Sequence, residues 1–130
     1  MEPVLSVSSL VTRLGGQTVH DGVSFGVRTG EVVALIGGSG SGKSVLLREN
    51  IGLMRPTAGR IELLGTDVWQ SGPEAVNALR RRFGVLFQDG ALFSSLTLAE
   101  NIAVPFVEHT TLPKDVIAPL VGFKLALVGL

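Results

Sequence analysis

The chain has 130 residues, 45% of them hydrophobic and 17% charged, with a mean hydropathy of +0.45; that is the scale of one globular domain, and it excludes a disordered chain. Lys plus Arg and Asp plus Glu number 11 each, so no net field holds a nucleic-acid backbone or an anionic membrane surface, and partners must be sought in sites. Cysteine is absent, which excludes disulfides and thiolate metal sites, and no run reaches the roughly 20 apolar residues of a membrane span.

Glu2 and Pro3 stand where a secretory signal would be basic and then apolar, so none is expected. Val4 to Val11 predicts a first strand, Arg13-Leu14-Gly15-Gly16-Gln17 a turn, and Thr18 to Val27 a second strand. Thr29-Gly30 then leads into the β-branched run Val32-Val33-Ala34-Leu35-Ile36, a third strand. Directly after it come Gly37-Gly38-Ser39-Gly40-Ser41-Gly42-Lys43-Ser44 and the helix start Val45-Leu46-Leu47.

Strand, G-x-x-x-x-G-K-S, helix is the phosphate-binding loop in the context its mechanics require. Glycines let successive N–H groups turn inward around a polyphosphate, and the helix N-terminus adds partial positive charge at the same spot. Lys43 would reach the β- and γ-phosphates, and the Ser44 hydroxyl would ligate Mg²⁺. A flexible linker, the bland alternative, would be polar on both sides.

Leu47, Ile51 and Met54 fall at i, i+4 and i+7 and predict the buried stripe of this helix, which Arg55-Pro56-Thr57-Ala58-Gly59 is expected to end. Arg60 to Leu64 reads as a short strand closed by Gly65, and Pro73 to Phe83 as a helix with proline in its first turn. Val85-Leu86-Phe87 reads as a buried strand of the parallel-sheet kind leading to Gln88. Thr97 and Glu100 form a capping box for a helix through about Val107, Glu108 to Leu112 is a loop, and Pro113 to Leu130 opens a further helix. The apolar ending Leu-Ala-Leu-Val-Gly-Leu leads us to expect a truncated chain.

Other candidates carry less chemistry. Asp89 resembles the aspartate of a Walker-B strand, but Gln88 intervenes between it and the apolar run. Arg80-Arg81-Arg82 reads as a solvated helix end that complements the dipole. His20 and His109 lack metal-site spacing and are assigned to structure or surface.

Three features together resemble the N-terminal half of an ATP-binding-cassette (ABC) ATPase: Gly37 to Ser44, the Pro56-to-Gly59 turn followed by a strand and Gly65, and the apolar strand ending in Gln88. The resemblance implies an α/β P-loop domain in which an antiparallel β region joins a parallel sheet flanked by helices. Residues 1–93 would be part of the ATP-binding core, and 94–130 the beginning of a helical subdomain. It further implies ATP and Mg²⁺ as cofactors, with Gln88 near Mg²⁺ and the attacking water and its loop against a transmembrane permease subunit. A second nucleotide-binding domain would complete a homodimer in the full-length protein.

A narrower resemblance rests on Gly84 to Thr97, Glu100-Asn101-Ile102, Glu108-His109-Thr110 and Lys124 to Leu130. These stretches are similar to the ATPases of the maintenance-of-lipid-asymmetry system and its relatives that work with Mce-domain proteins. The likeness implies transport of phospholipid or another hydrophobic substrate, a Mce-type substrate-binding protein in the same complex, and a peripheral place on the cytoplasmic face of the inner membrane.

Two departures from the family pattern matter. Leu14 stands where cassettes usually place an aromatic residue under the adenine, so base contact would be apolar without stacking. No Leu-Ser-Gly-Gly signature, Walker-B Asp-Glu or later switch histidine is present, so this chain is expected to bind nucleotide better than it turns it over. The alternatives left open are a non-transport cassette ATPase of DNA repair or translation, a small-molecule P-loop kinase using Asp89, and an inactive nucleotide-binding remnant.

Overall fold

A computed structural model describes residues 3–130. They form two compact units, one through Phe83 and one from Gly84 on, each described by itself.

In the first unit, β1 (Leu5–Leu14) and β2 (Gln17–Val27) form an antiparallel hairpin closed by Gly15-Gly16, both at positive φ as a two-residue hairpin turn of the right twist demands. The other edge of β1 pairs with β3 (Ala58–Leu63), which pairs with β4 (Thr66–Asp67), giving the order β2-β1-β3-β4, antiparallel throughout. The register of β1 shifts between Val7 and Leu10, where Ser9 takes φ 48°. Strict alternation from Val7 would turn Ser9 and Val11 inward; the irregularity turns Leu10 and Thr12 inward instead. Val7, Leu10 and Ile61 then pack with Val68, with Leu46 of α1 (Lys43–Asn50) and with Leu79 of α2 (Pro73–Arg80).

The hairpin, the strand predicted from Arg60, the helix from Lys43 and the proline-started helix are thus present, with bounds shifted by a few residues. The last turn of α1 is a correction. Its inward side chains are Leu46, Glu49 and Asn50, while Leu47 is 43% exposed, so the stripe predicted on Leu47, Ile51 and Met54 lies one position off. The helix stops at Asn50, before Ile51 and Met54. Gly52 adopts φ 75°, its N–H donates to the Glu49 carbonyl (3.2 Å), and the Leu53 N–H donates to the Arg48 carbonyl (2.8 Å). This closing motif uses up the helix-end carbonyls ahead of Pro56, so the glycine that terminates the helix is Gly52.

Two predicted strands are also corrected. Val32 to Ile36 and Val85 to Phe87 carry no ladder partner among the described residues, and Val32, Ile36 and Leu86 are 96%, 94% and 92% exposed. An apolar β-branched run supplies the composition of a buried strand, but a strand exists only by pairing. The parallel strands expected of these two runs are therefore absent from the sheet of the described residues.

In the second unit, α3 (Leu98–His109) opens on the expected capping box: the Thr97 hydroxyl accepts from the Glu100 N–H (3.2 Å) and the Glu100 carboxylate accepts from the Thr97 N–H (2.7 Å). Asn101 holds the preceding loop; its Oδ1 accepts from the Phe93 N–H, and its Nδ2 donates to the carbonyls of Phe93, Leu96 and Thr97. α4 (Lys114–Leu127) follows and packs against α3, burying Ile117 and Val121. Among the described residues no helix is long and apolar enough to cross a membrane.

Candidate phosphate-binding site

Gly37 to Ser44 lead into α1, whose first intrahelical bond runs from the Leu46 N–H to the Gly42 carbonyl (2.8 Å). The amides of Lys43, Ser44 and Val45 therefore lie ahead of the helical ladder, and no side chain caps them. They border a cleft of about 190 Å³ lined by Val19 and the residues from Gly40 to Val45. Helix N-terminal amides facing open space with no internal cap form a donor set suited to an anion.

Lys43 lies over the same loop. Its Nζ donates to the carbonyls of Gly37 (2.7 Å) and Gly38 (2.8 Å) and to the Ser41 hydroxyl (3.2 Å). All three partners are neutral, so the ammonium has hydrogen bonds but no counter-charge in them. A phosphate would supply that charge, and Ser44, next in sequence, is the hydroxyl that could meet its metal. Among the described residues no cluster of His, Cys, Asp and Glu could hold a metal by itself.

Gly42 takes φ 89°, and a Cβ there would lie 2.6 Å from Val19 Cγ1 and 2.7 Å from His20 Nε2. Only glycine satisfies both the left-handed backbone and that close approach. His20, only 6% exposed, accordingly sits directly beneath the loop. Its Nε2 is 3.2 Å from the Gly42 carbonyl, and its Nδ1 is 3.0 Å from Thr12 Oγ1 and 3.2 Å from Glu49 Oε2. The Thr12 hydroxyl donates to Glu49 Oε1 at 2.7 Å, and Glu49 is fully buried. Assigning His20 to structure or surface captured its burial and missed its partners. Nothing in the sequence marked Glu49 as its partner, since Leu46 and Leu47 are equally apolar and only the structure shows that the Leu46–Glu49 face is buried.

The remaining predicted residues lie elsewhere. Leu14 ends β1 beside the Gly15-Gly16 turn, 40% exposed. Gln88 belongs to the second unit, exposed in a turn with Asp89 that the Gly90 N–H closes onto the Phe87 carbonyl (3.1 Å). Arg82 donates to the Leu64 carbonyl, while Arg80 and Arg81 are exposed at the end of α2.

Comparison with known proteins adds a family to this geometry. At 44% identity over 97% of its length, the chain is similar to a Mycobacterium tuberculosis protein described as a probable ribonucleotide transport ATP-binding protein. It is 35% identical over 98% of its length to the ATP-binding protein of an intermembrane phospholipid transport system in Haemophilus influenzae. It spans 35% and 48% of those two proteins. Among solved structures it superposes on a dimeric ATP-binding cassette bound to ADP and Pi with a TM-score of 0.83 at 22% identity, covering 97% of this chain and 57% of that one. It also superposes on cbiO1 of Clostridium perfringens, part of an ABC transporter complex, with a TM-score of 0.79 at 29% identity, covering 100% of this chain and 52% of that one. The family model described as ABC transporter matches residues 20–126, a stretch that takes in the phosphate loop, Gln88 and most of α4, and the chain belongs to that family.

Proposed function

We propose that this chain is the nucleotide-binding part of an ABC transporter ATPase and binds Mg-ATP through Gly37, Gly38, Ser39, Gly40, Ser41, Gly42, Lys43 and Ser44. The observation that carries the reading is the pairing of uncapped amides at the start of α1 with a lysine ammonium held only by neutral acceptors over the same loop. Lys43 exchanges those acceptors for the β- and γ-phosphate oxygens, and the amides of α1 take the remaining charge. Ser44 would hold Mg²⁺, which would supply charge neutralisation at the phosphates, and the family resemblance alone gives Gln88 a share in that role. Leu14 covers the adenine by apolar contact. In the full-length protein Lys43 and Gln88 serve hydrolysis, and Gln88 carries nucleotide state to a transmembrane permease subunit.

The substrate we infer is phospholipid or another hydrophobic molecule, moved across the cell envelope by a complex on the cytoplasmic face of the inner membrane. It is supported by the relative described as a phospholipid transport ATP-binding protein and by the stretches from Gly84 to Thr97 and from Lys124 to Leu130. Two copies of the ATPase and a Mce-type substrate-binding protein complete that complex.

Calorimetric titration of the protein with Mg-ATP tests the core of this reading. Lys43→Ala removes the one ammonium of the loop and is expected to weaken binding by about one to two orders of magnitude, the scale of a lost charge-assisted hydrogen bond of roughly 1.5–3 kcal/mol. Unchanged affinity in that variant refutes the site.

A further inference from the structure

We propose that His20, Thr12 and Glu49 form a buried positioning device for the phosphate loop, with His20 aiming the first amide of α1 through the Gly42 carbonyl. The proposal rests on reading that loop as the nucleotide site.

Hydrogen accounting fixes the direction of each bond. The Gly42 carbonyl can only accept, so His20 Nε2 carries a hydrogen and donates to it (3.2 Å). The same carbonyl accepts the Leu46 N–H (2.8 Å), and two donors from different elements pin its direction. In a trans peptide the C=O and the following N–H point opposite ways. Holding the Gly42 carbonyl toward His20 therefore turns the Lys43 N–H away from His20, on the side of the uncapped amides.

The far side of the imidazole keeps it in place. Thr12 has one hydroxyl hydrogen and gives it to Glu49 Oε1 (2.7 Å). His20 Nδ1 then faces two acceptors, Thr12 Oγ1 at 3.0 Å and Glu49 Oε2 at 3.2 Å, and Oε2 has no other partner among the described residues. These two contacts hold the ring between β1 and α1, so that Nε2 stays aimed at the Gly42 carbonyl. The Glu49 carbonyl also accepts from Trp69 Nε1 (3.2 Å), which ties the turn of α1 that carries the carboxylate to the segment after β4.

A purely structural cluster and a positioning cluster differ in what replacement does. His20→Leu/Thr12→Val/Glu49→Leu removes the whole set without leaving a buried charge, a replacement that tends to preserve or raise stability. The full-length protein is titrated with Mg-ATP and melted thermally. The triple variant is expected to melt no lower than the parent and to bind Mg-ATP about tenfold more weakly. His20→Gln/Glu49→Gln restores an amide donor to the Gly42 carbonyl, and its affinity is expected within about threefold of the parent. A folded triple variant that binds as the parent does overturns the proposal. Should the triple variant lack a cooperative melt, His20→Leu/Glu49→Gln, which keeps the Thr12 bond, is read in the same two directions. A Lys43→Ala variant with unchanged affinity would instead sink the site reading itself, so the two failures are separable.

Discussion

Adding one methyl group at Gly42 tests how tightly the phosphate loop is built onto the hairpin. Gly42 and Gly40 both hold positive φ, 89° and 78°, so alanine pays the left-handed backbone cost at either, about 1–2 kcal/mol. The surroundings differ. A Cβ at Gly40 meets nothing within 4 Å, whereas at Gly42 it lies 2.6 Å from Val19 Cγ1 and 2.7 Å from His20 Nε2. Ordinary carbon contacts begin near 3.5 Å, so Val19 and the buried His20 must each retreat by nearly an ångström, which overpacking data place at about 1–3 kcal/mol. Gly42→Ala is therefore expected to cost about 2–5 kcal/mol and Gly40→Ala about 1–2 kcal/mol. Urea unfolding without nucleotide measures both, with the slope checked for constancy so that midpoints convert to stability. Equal losses in the two variants would show that His20 does not press against the loop, and the account of Gly42 would fall.

Two further outcomes concern the second unit. Asn101 makes four hydrogen bonds to the loop ahead of α3; Asn101→Ala is expected to speed amide exchange at Phe93 at least tenfold while leaving exchange in the middle of α4 unchanged, as follows if the loop opens locally. Glu100 accepts first from the Thr97 N–H and then from its hydroxyl, and these bonds hold its carboxyl below the ordinary value of 4.5 against a small opposing effect of burial. A folded pKa below the unfolded one means a stabilising contribution that is present above the ordinary value and is lost as pH falls through the folded pKa. The start of α3 is accordingly expected to fray on acidification through and below that range, seen as faster exchange at Glu100 and Asn101 after correction for intrinsic rates, and Glu100→Gln is expected to remove the pH dependence.

What the sequence made legible was local. The capping box at Thr97 and Glu100, the proline start of α2 and the Gly-Gly hairpin turn each depend on residues within four positions of one another, and each is present. The stripe of α1 went wrong by a single position because Leu46 and Leu47 are equally apolar. Which of them faces inward depends on where β1 lies, and periodicity within the helix does not contain that. Val32 to Ile36 and Val85 to Phe87 show the same limit on a larger scale, since composition specifies what a strand would bury while only a neighbouring strand makes it one.

The cluster beneath the loop lay outside that reach for a more specific reason. Thr12 would not face Glu49 if β1 alternated strictly from Val7, because an odd residue, Val11, would then point inward in its place. The irregularity around Ser9 reverses the parity, and no residue type in Ser8-Ser9 announces it. A histidine and a glutamate twenty-nine positions apart thus gain Thr12 as their common partner through one extra residue in a strand that belongs to neither. The imidazole itself is placed by β2, which carries an extra residue of its own at Gly22, between the pairs Leu10–Val23 and Val11–Asp21. Because the irregularity amounts to one extra residue in β1, deleting Ser9 leaves Leu10 and Thr12 two and four positions after Val7, and the variant is expected to keep both facing inward with a cooperative melt.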